Sequence, residues 1–245
     1  MPRPEREVGS VPRRSFLGSI LVTASAAMTG CATASSAGEA HGAPRRADHG
    51  EPSSAEAEVS PGEDLMQEHG VLERILLVYG AAGRRIDAGE ALDLAVITEA
   101  AGIVRRFVED YHEHMEETFV FPRLEVAGRE VALVATLRLQ HLRGREVTDA
   151  IAREARAGAA PRLVPLMRSF ERMYRPHAAR EDTVLFPAFR DLLGRAAYRE
   201  LGERFEAEEH ARFGEHGFEE AVAEVARLET ALGIHDLDRF TPLDV

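Results

Sequence analysis

The chain has 245 residues, of which 44% are hydrophobic and 29% charged, enough to bury one good core. A formal net charge of −12 argues against nucleic acid or an anionic membrane surface as the main partner; every basic residue apart from histidine is arginine, which reads as codon bias rather than function. The single cysteine, Cys31, excludes a disulfide framework and any thiolate-built zinc or iron–sulfur site within the chain.

Residues 1–31 read as an export signal. Arg13-Arg14-Ser15-Phe16-Leu17 resembles a twin-arginine motif, and an apolar run follows to about Met28. The run is too short and too rich in Ala, Ser and Gly for a membrane-spanning helix. Thr29-Gly30-Cys31 resembles a lipobox, which predicts lipidation at Cys31 and a mature protein tethered on the periplasmic side. The alternative is an incidental thiol in a plain signal peptide. Residues 32–61 are Ala, Ser, Gly, Glu and Pro with little periodicity, a disordered linker in which His41 and His49 are solvent-exposed bystanders.

Beyond the linker the hydrophobic period is helical. Helix A is expected from about Gly62 to Ala82, with Leu65, His69, Leu72, Leu76 and Tyr79 on one stripe and Gly80 and Gly83 at its end. A second helix spans about Ala91 to Leu124, with Val104, Val108, His112, Met115, Glu116 and Phe119 facing in and Pro122 bending or finishing it. The third, about Arg129 to Ala157, carries Val134, Leu137, His141, Thr148 and Ile151, and Gly158 stops it. Helix four, about Pro161 to Leu193, turns Phe170, Tyr174, His177, Glu181, Val184 and Ala188 inward. Residues 194–245 add a fifth, acidic helix, about Arg195 to Leu232, and an irregular tail. Four long helices with short links predict an all-α, up-down-up-down four-helix bundle over residues 62–193, with the additional C-terminal helix beside it.

One motif occurs twice. His177-Ala-Ala-Arg-Glu181-Asp182-Thr-Val-Leu-Phe186-Pro187 repeats His112-Glu-His-Met-Glu116-Glu117-Thr-Phe-Val-Phe121-Pro122 without a gap, in the form His-x-x-x-Glu-acid-Thr-x-x-Phe-Pro. Four helical residues turn through about 400° and rise about 6 Å, so each His shares a face with its Glu, one turn apart. Such a pair can grip one metal ion, or the Glu can reach across to a second. An inward His alone is more often a hydrogen-bonded core residue. Here each of four helices places one His on its apolar stripe, and two of these are followed by an inward Glu. A carboxylate on an apolar face is costly unless compensated, and without lysine a multivalent cation is the natural counter-charge.

This pattern resembles the hemerythrin-like family of HHE cation-binding domains. The likeness covers about Pro61 to Leu193. It implies a four-helix bundle around a non-haem centre of two iron ions, with His69, His112, His141 and His177 as terminal ligands. Glu116 and Glu181 would bridge the metals. Oxygen-carrying members have a second histidine on the third helix, where this chain has Arg145, and an Asp where it has Glu181. Four His and two Glu resemble the branch associated with nitric-oxide or oxygen stress and iron handling, leaving more positions open to a small ligand. Export in folded form by a twin-arginine route fits a domain that acquires its metal first.

Around the motif, Glu117 and Asp182 lie about 100° off the ligand face; they read as solvated acids, or as groups that orient a ligand His. His114, His210 and His216 are expected at the surface, His114 replacing a ligand only if its helix is irregular. Tyr79, Tyr111 and Tyr174 read as core, Tyr174 being the one best placed to donate toward a bound oxygen species. The leading expectation is a protein that binds or reduces oxygen, peroxide or nitric oxide, its redox partner unspecified. The others are an iron-binding or oxygen-sensing module without turnover, and a bundle whose inward His and Glu are purely structural.

Overall fold

The computed structural model describes residues 59–242, and the regular structure among them is helical throughout. The export signal, Cys31, His41 and His49 lie outside the described residues. No helix among the described residues is long and apolar enough to cross a membrane.

Helix α1 (Pro61–Asp87) begins on a capping box. The Ser60 hydroxyl accepts the Glu63 N–H at 3.4 Å, and the Glu63 carboxylate accepts the Ser60 N–H at 3.0 Å. Ser60 and Pro61 therefore belong to the helix, not to the linker. Gly80 and Gly83 do not end it; the chain stays helical to Asp87 and turns at Gly89, whose φ of 67° suits a residue without Cβ. Helix α2 occupies 95–126 and begins later than expected, after Asp93 accepts the Ala95 N–H at 2.9 Å. Helix α3 (Val131–Arg156) stops at Gly158, φ 70°, as its sequence suggests. Helix α4 occupies 160–192.

The links 88–94, 127–130 and 157–159 are short against helices of some 40 Å, so successive helices run antiparallel. Helices α1 and α3 each pack against both α2 and α4, which closes a four-helix ring. The apolar stripes read from the sequence are buried, with one exception. Val184 is 37% exposed, and Leu185 takes the inward place.

The reason lies in the local winding. Helix α2 is π-helical over Val104–His112 and again over Glu116–Val120, and α4 over Glu181–Leu185. A π turn bonds i to i+5 and lodges an extra residue, so positions after it rotate relative to an α-helix. Both motif copies contain such a turn, and each is closed by Phe-Pro: Phe121-Pro122 and Phe186-Pro187. Proline has no N–H to leave unsatisfied where the hydrogen-bond ladder changes register. Pro122 thus marks the return to α winding, and α2 continues past it to Val126.

The acidic C-terminal stretch forms two helices, α5 (Arg195–Phe213) and α6 (Gly217–Ala231), because Gly214 adopts φ 81° between them. They share the bundle's core. Leu201, Phe205, Val225, Leu228 and Leu232 are buried in the same apolar cluster as the four-helix interior. Phe213 lies 5.9 Å from Phe107 and packs edge-on to Tyr111 at 5.3 Å. Arg74 of α1 makes a two-pronged ion pair with Glu229 of α6 at 2.9 and 2.5 Å.

Candidate metal centre

Each of the four bundle helices delivers one imidazole to the middle of the core, and α2 and α4 each deliver a carboxylate one turn later. His69, His112, His141, His177, Glu116 and Glu181 are all buried. Their donor atoms fall into two overlapping quartets: His69, His112, Glu116 and Glu181 in one, His141, His177, Glu116 and Glu181 in the other. Within each quartet the donor atoms lie within 4.8 Å of one another. Nε2 of His177 is 3.0 Å from Glu181, Nε2 of His69 is 3.4 Å from Glu181, and Nε2 of His141 is 3.4 Å from Glu116. Ligands about 2 Å from a shared ion are separated by similar lengths.

The outward nitrogens are all fixed. His69 Nδ1 bonds to Asp182 at 2.7 Å and His112 Nδ1 to Glu68 at 2.8 Å. His141 Nδ1 bonds to Glu117 at 2.9 Å and His177 Nδ1 to the Gln140 carbonyl at 2.9 Å. These oxygens accept, so each Nδ1 carries a proton and each Nε2 is aimed inward, where Nε2 of His141 lies 3.2 Å from Nε2 of His177. Meanwhile all four oxygens of Glu116 and Glu181, and Nε2 of His69, are buried without a hydrogen-bond partner. Buried polar atoms without partners are expensive, and these point at one another. A donor set of this kind fits two cations sharing two carboxylates.

The electrostatics agree. Burial raises Glu116 well above the carboxylate range, and the charge of Glu181 adds to the effect. Burial acts the same way on Glu181, but His177 and His69 outweigh it and hold that carboxyl well below its usual range. For His69, burial opposes the charged ring, yet the hydrogen bond to Asp182 and the Glu181 carboxylate 3.4 Å away prevail and push it up to about 9. His141 is brought down to about 4, mainly by burial. His112 is also lowered, by burial and by the charge of His69. Two facing carboxylates in a dry site cannot both ionise without positive charge between them, and within the chain the neighbouring His177 and His69 contribute it.

Tyr174 stands apart from this set. Its ring touches His177, with centroids 5.3 Å apart, but its hydroxyl donates to Glu113 at 2.6 Å. That hydroxyl sits against Gly144, where an added Cβ would lie 1.9 Å from it. Arg145 reaches Glu113 at 2.8 Å and Glu117 at 2.9 Å, so the guanidinium supplies their counter-charge. His114, His210 and His216 are exposed. Irregular winding does not bring His114 inward, because Glu113 and Met115 take the buried places on either side.

A family model described as the hemerythrin HHE cation binding domain matches residues 60–189. The chain belongs to that family. An uncharacterized protein of Mycobacterium tuberculosis (strain H37Rv) is 48% identical over 193 residues, spanning 76% of this chain and 76% of its own. An uncharacterized protein of Mycobacterium bovis matches to the same extent. No solved structure gives a significant match.

Within this hemerythrin-type domain, sequence reasoning missed Glu68, Gln140 and Glu113. A signal for the first two was present: Glu68-His69 and Gln140-His141 repeat an acid-or-amide before His in the two helical hairpins. Glu113 carried none, because an α-helical wheel does not turn it inward.

Proposed function

We propose that the two quartets hold a pair of iron ions, and that the protein binds or reduces oxygen, peroxide or nitric oxide at them. The observation that supports this most is the set of four imidazoles, each anchored through Nδ1 with Nε2 aimed inward, around two carboxylates without hydrogen-bond partners. Imidazole and carboxylate together suit divalent first-row metals, iron among them. An iron pair, when bound, supplies Lewis acidity and two redox equivalents.

The chain's own contribution is threefold. Asp182, Glu68, Glu117 and Gln140 fix ring orientation and the proton-bearing nitrogen. Glu116 and Glu181 belong to both quartets and couple the two positions. Apolar neighbours exclude bulk water and large substrates: Phe186 stacks on His69 at 5.7 Å and Phe121 on His141 at 5.4 Å. Only small ligands suit so enclosed a site. In this reading the protein is exported and lipid-anchored through Cys31, as the twin-arginine and lipobox residues suggest.

Anaerobic loading with ferrous iron, followed by addition of peroxide or nitric oxide, tests the proposal. Spectral change with consumption of the added species supports it. Iron retained with neither change supports the second reading, an iron-holding module without turnover.

A further inference from the structure

The two halves of the centre are related by a pseudo-twofold. On α1 Glu68 precedes His69 and bonds Nδ1 of His112; on α3 Gln140 precedes His141 and bonds Nδ1 of His177. The helices, spacing and bonded atoms correspond. The chemistry does not: one partner is a carboxylate, the other a neutral amide.

The second pair of partners widens the difference. Asp182 accepts from His69 through an oxygen that no arginine shares among the described residues. Glu117 accepts from His141 through Oε1, and that same oxygen takes Arg145 Nη2 at 2.9 Å. The His69–His112 half therefore faces two carboxylates. The His141–His177 half faces one carboxylate already shared with a guanidinium, and one amide.

A carboxylate on Nδ1 draws the proton away from the ring and makes Nε2 a stronger donor to a cation; an amide carbonyl does so much less. Exchanging such a partner typically changes metal affinity 10- to 100-fold. We infer that the two cation positions are unequal, that the first cation enters the His69–His112 position, and that Gln140 sets the His141–His177 position as the weaker, exchangeable one. This rests on the reading of the centre as a two-cation site. Gln140 is a positioning residue here, acting only through His177.

The test is a cobalt(II) titration of the full chain, followed by proton NMR of the paramagnetically shifted imidazole N–H signals. With one equivalent, the shifted signals should be those of His69 and His112, identified by their displacement in Asp182→Asn and Glu68→Gln. The His141 and His177 signals should appear only with the second equivalent. In Gln140→Glu the second binding constant should tighten about 10-fold, and the first equivalent should divide between the positions. First-equivalent signals from both halves in the wild type would overturn the inference, as would an unchanged distribution in Gln140→Glu. Two sharing cations repel one another even in a symmetric site, so unequal constants alone do not count; the position occupied does. Binding of fewer than two cobalt ions per chain would instead overturn the two-cation reading beneath it.

Discussion

At the scale of single residues, the six inward donors are not equivalent. Glu181 belongs to both quartets, whereas His69 belongs to one. Glu181→Ala should therefore weaken both cation positions, and His69→Ala one of them while the other is kept. Cations per chain, measured by mass spectrometry after dialysis, separate the two outcomes; equal losses would contradict the sharing. His210→Ala should change nothing, since that side chain is exposed on α5. Gly144 lies directly against the Tyr174 hydroxyl. A methyl group there would meet the Tyr174 hydroxyl at 1.9 Å and displace it from Glu113. Overpacking of this kind costs about 1–3 kcal/mol, so Gly144→Ala should lower the melting temperature by several degrees. Gly70→Ala is the control: no neighbour lies within 4 Å, and the mid-helix glycine it replaces costs about 0.5–1 kcal/mol. It should melt slightly higher. A Gly144→Ala protein as stable as wild type would remove Gly144 as the seat of that hydroxyl.

At the scale of the elements, the doubled motif is legible because its chemistry repeats with its spacing. His112, Glu116, His177 and Glu181 share a face whether the turn is α or slightly wider, so an α-helical wheel places them. The wheel fails just beyond. It turns Glu117 and Asp182 toward solvent, yet each, half-buried beside the ligand face, reaches a histidine of the neighbouring hairpin. The rotation that accumulates along the π turn exposes Val184 and buries Leu185. Local propensity did not announce the π turns; Thr-x-x-Phe-Pro, read as a place where the ladder can lose a donor, is the one hint in the sequence. Deleting Thr183 should convert the α4 turn to α winding and swing Glu181 away from Phe186-Pro187. Loss of cation binding with helicity retained by circular dichroism is the expected result. Unimpaired binding would mean that the π turn is incidental.

At the scale of the molecule, the family match ends at residue 189, but the core does not. Leu201, Phe205, Val225, Leu228 and Leu232 are buried against the bundle, and each such side chain stabilises by about 1.5–3 kcal/mol. Their sum is about 10 kcal/mol, comparable to the whole stability of a domain. Ending the chain after Leu193 should thus yield an aggregating or unfolded product, with Phe107 and Tyr111 uncovered. A soluble, cooperatively melting truncation would contradict the shared core. The amphipathic period of this region was visible in the sequence, and so was its acidity. Its attachment was not, because the contacts that bind it, such as Arg74 to Glu229, join residues 155 positions apart.

Six buried side chains make up the proposed two-cation centre. The most direct test is metal content with an absorption spectrum, on the chain loaded anaerobically with ferrous iron and then exposed to air. Two quartets predict about two irons per chain and new charge-transfer bands on oxidation. One ion or none, with a spectrum unchanged by air, would contradict it.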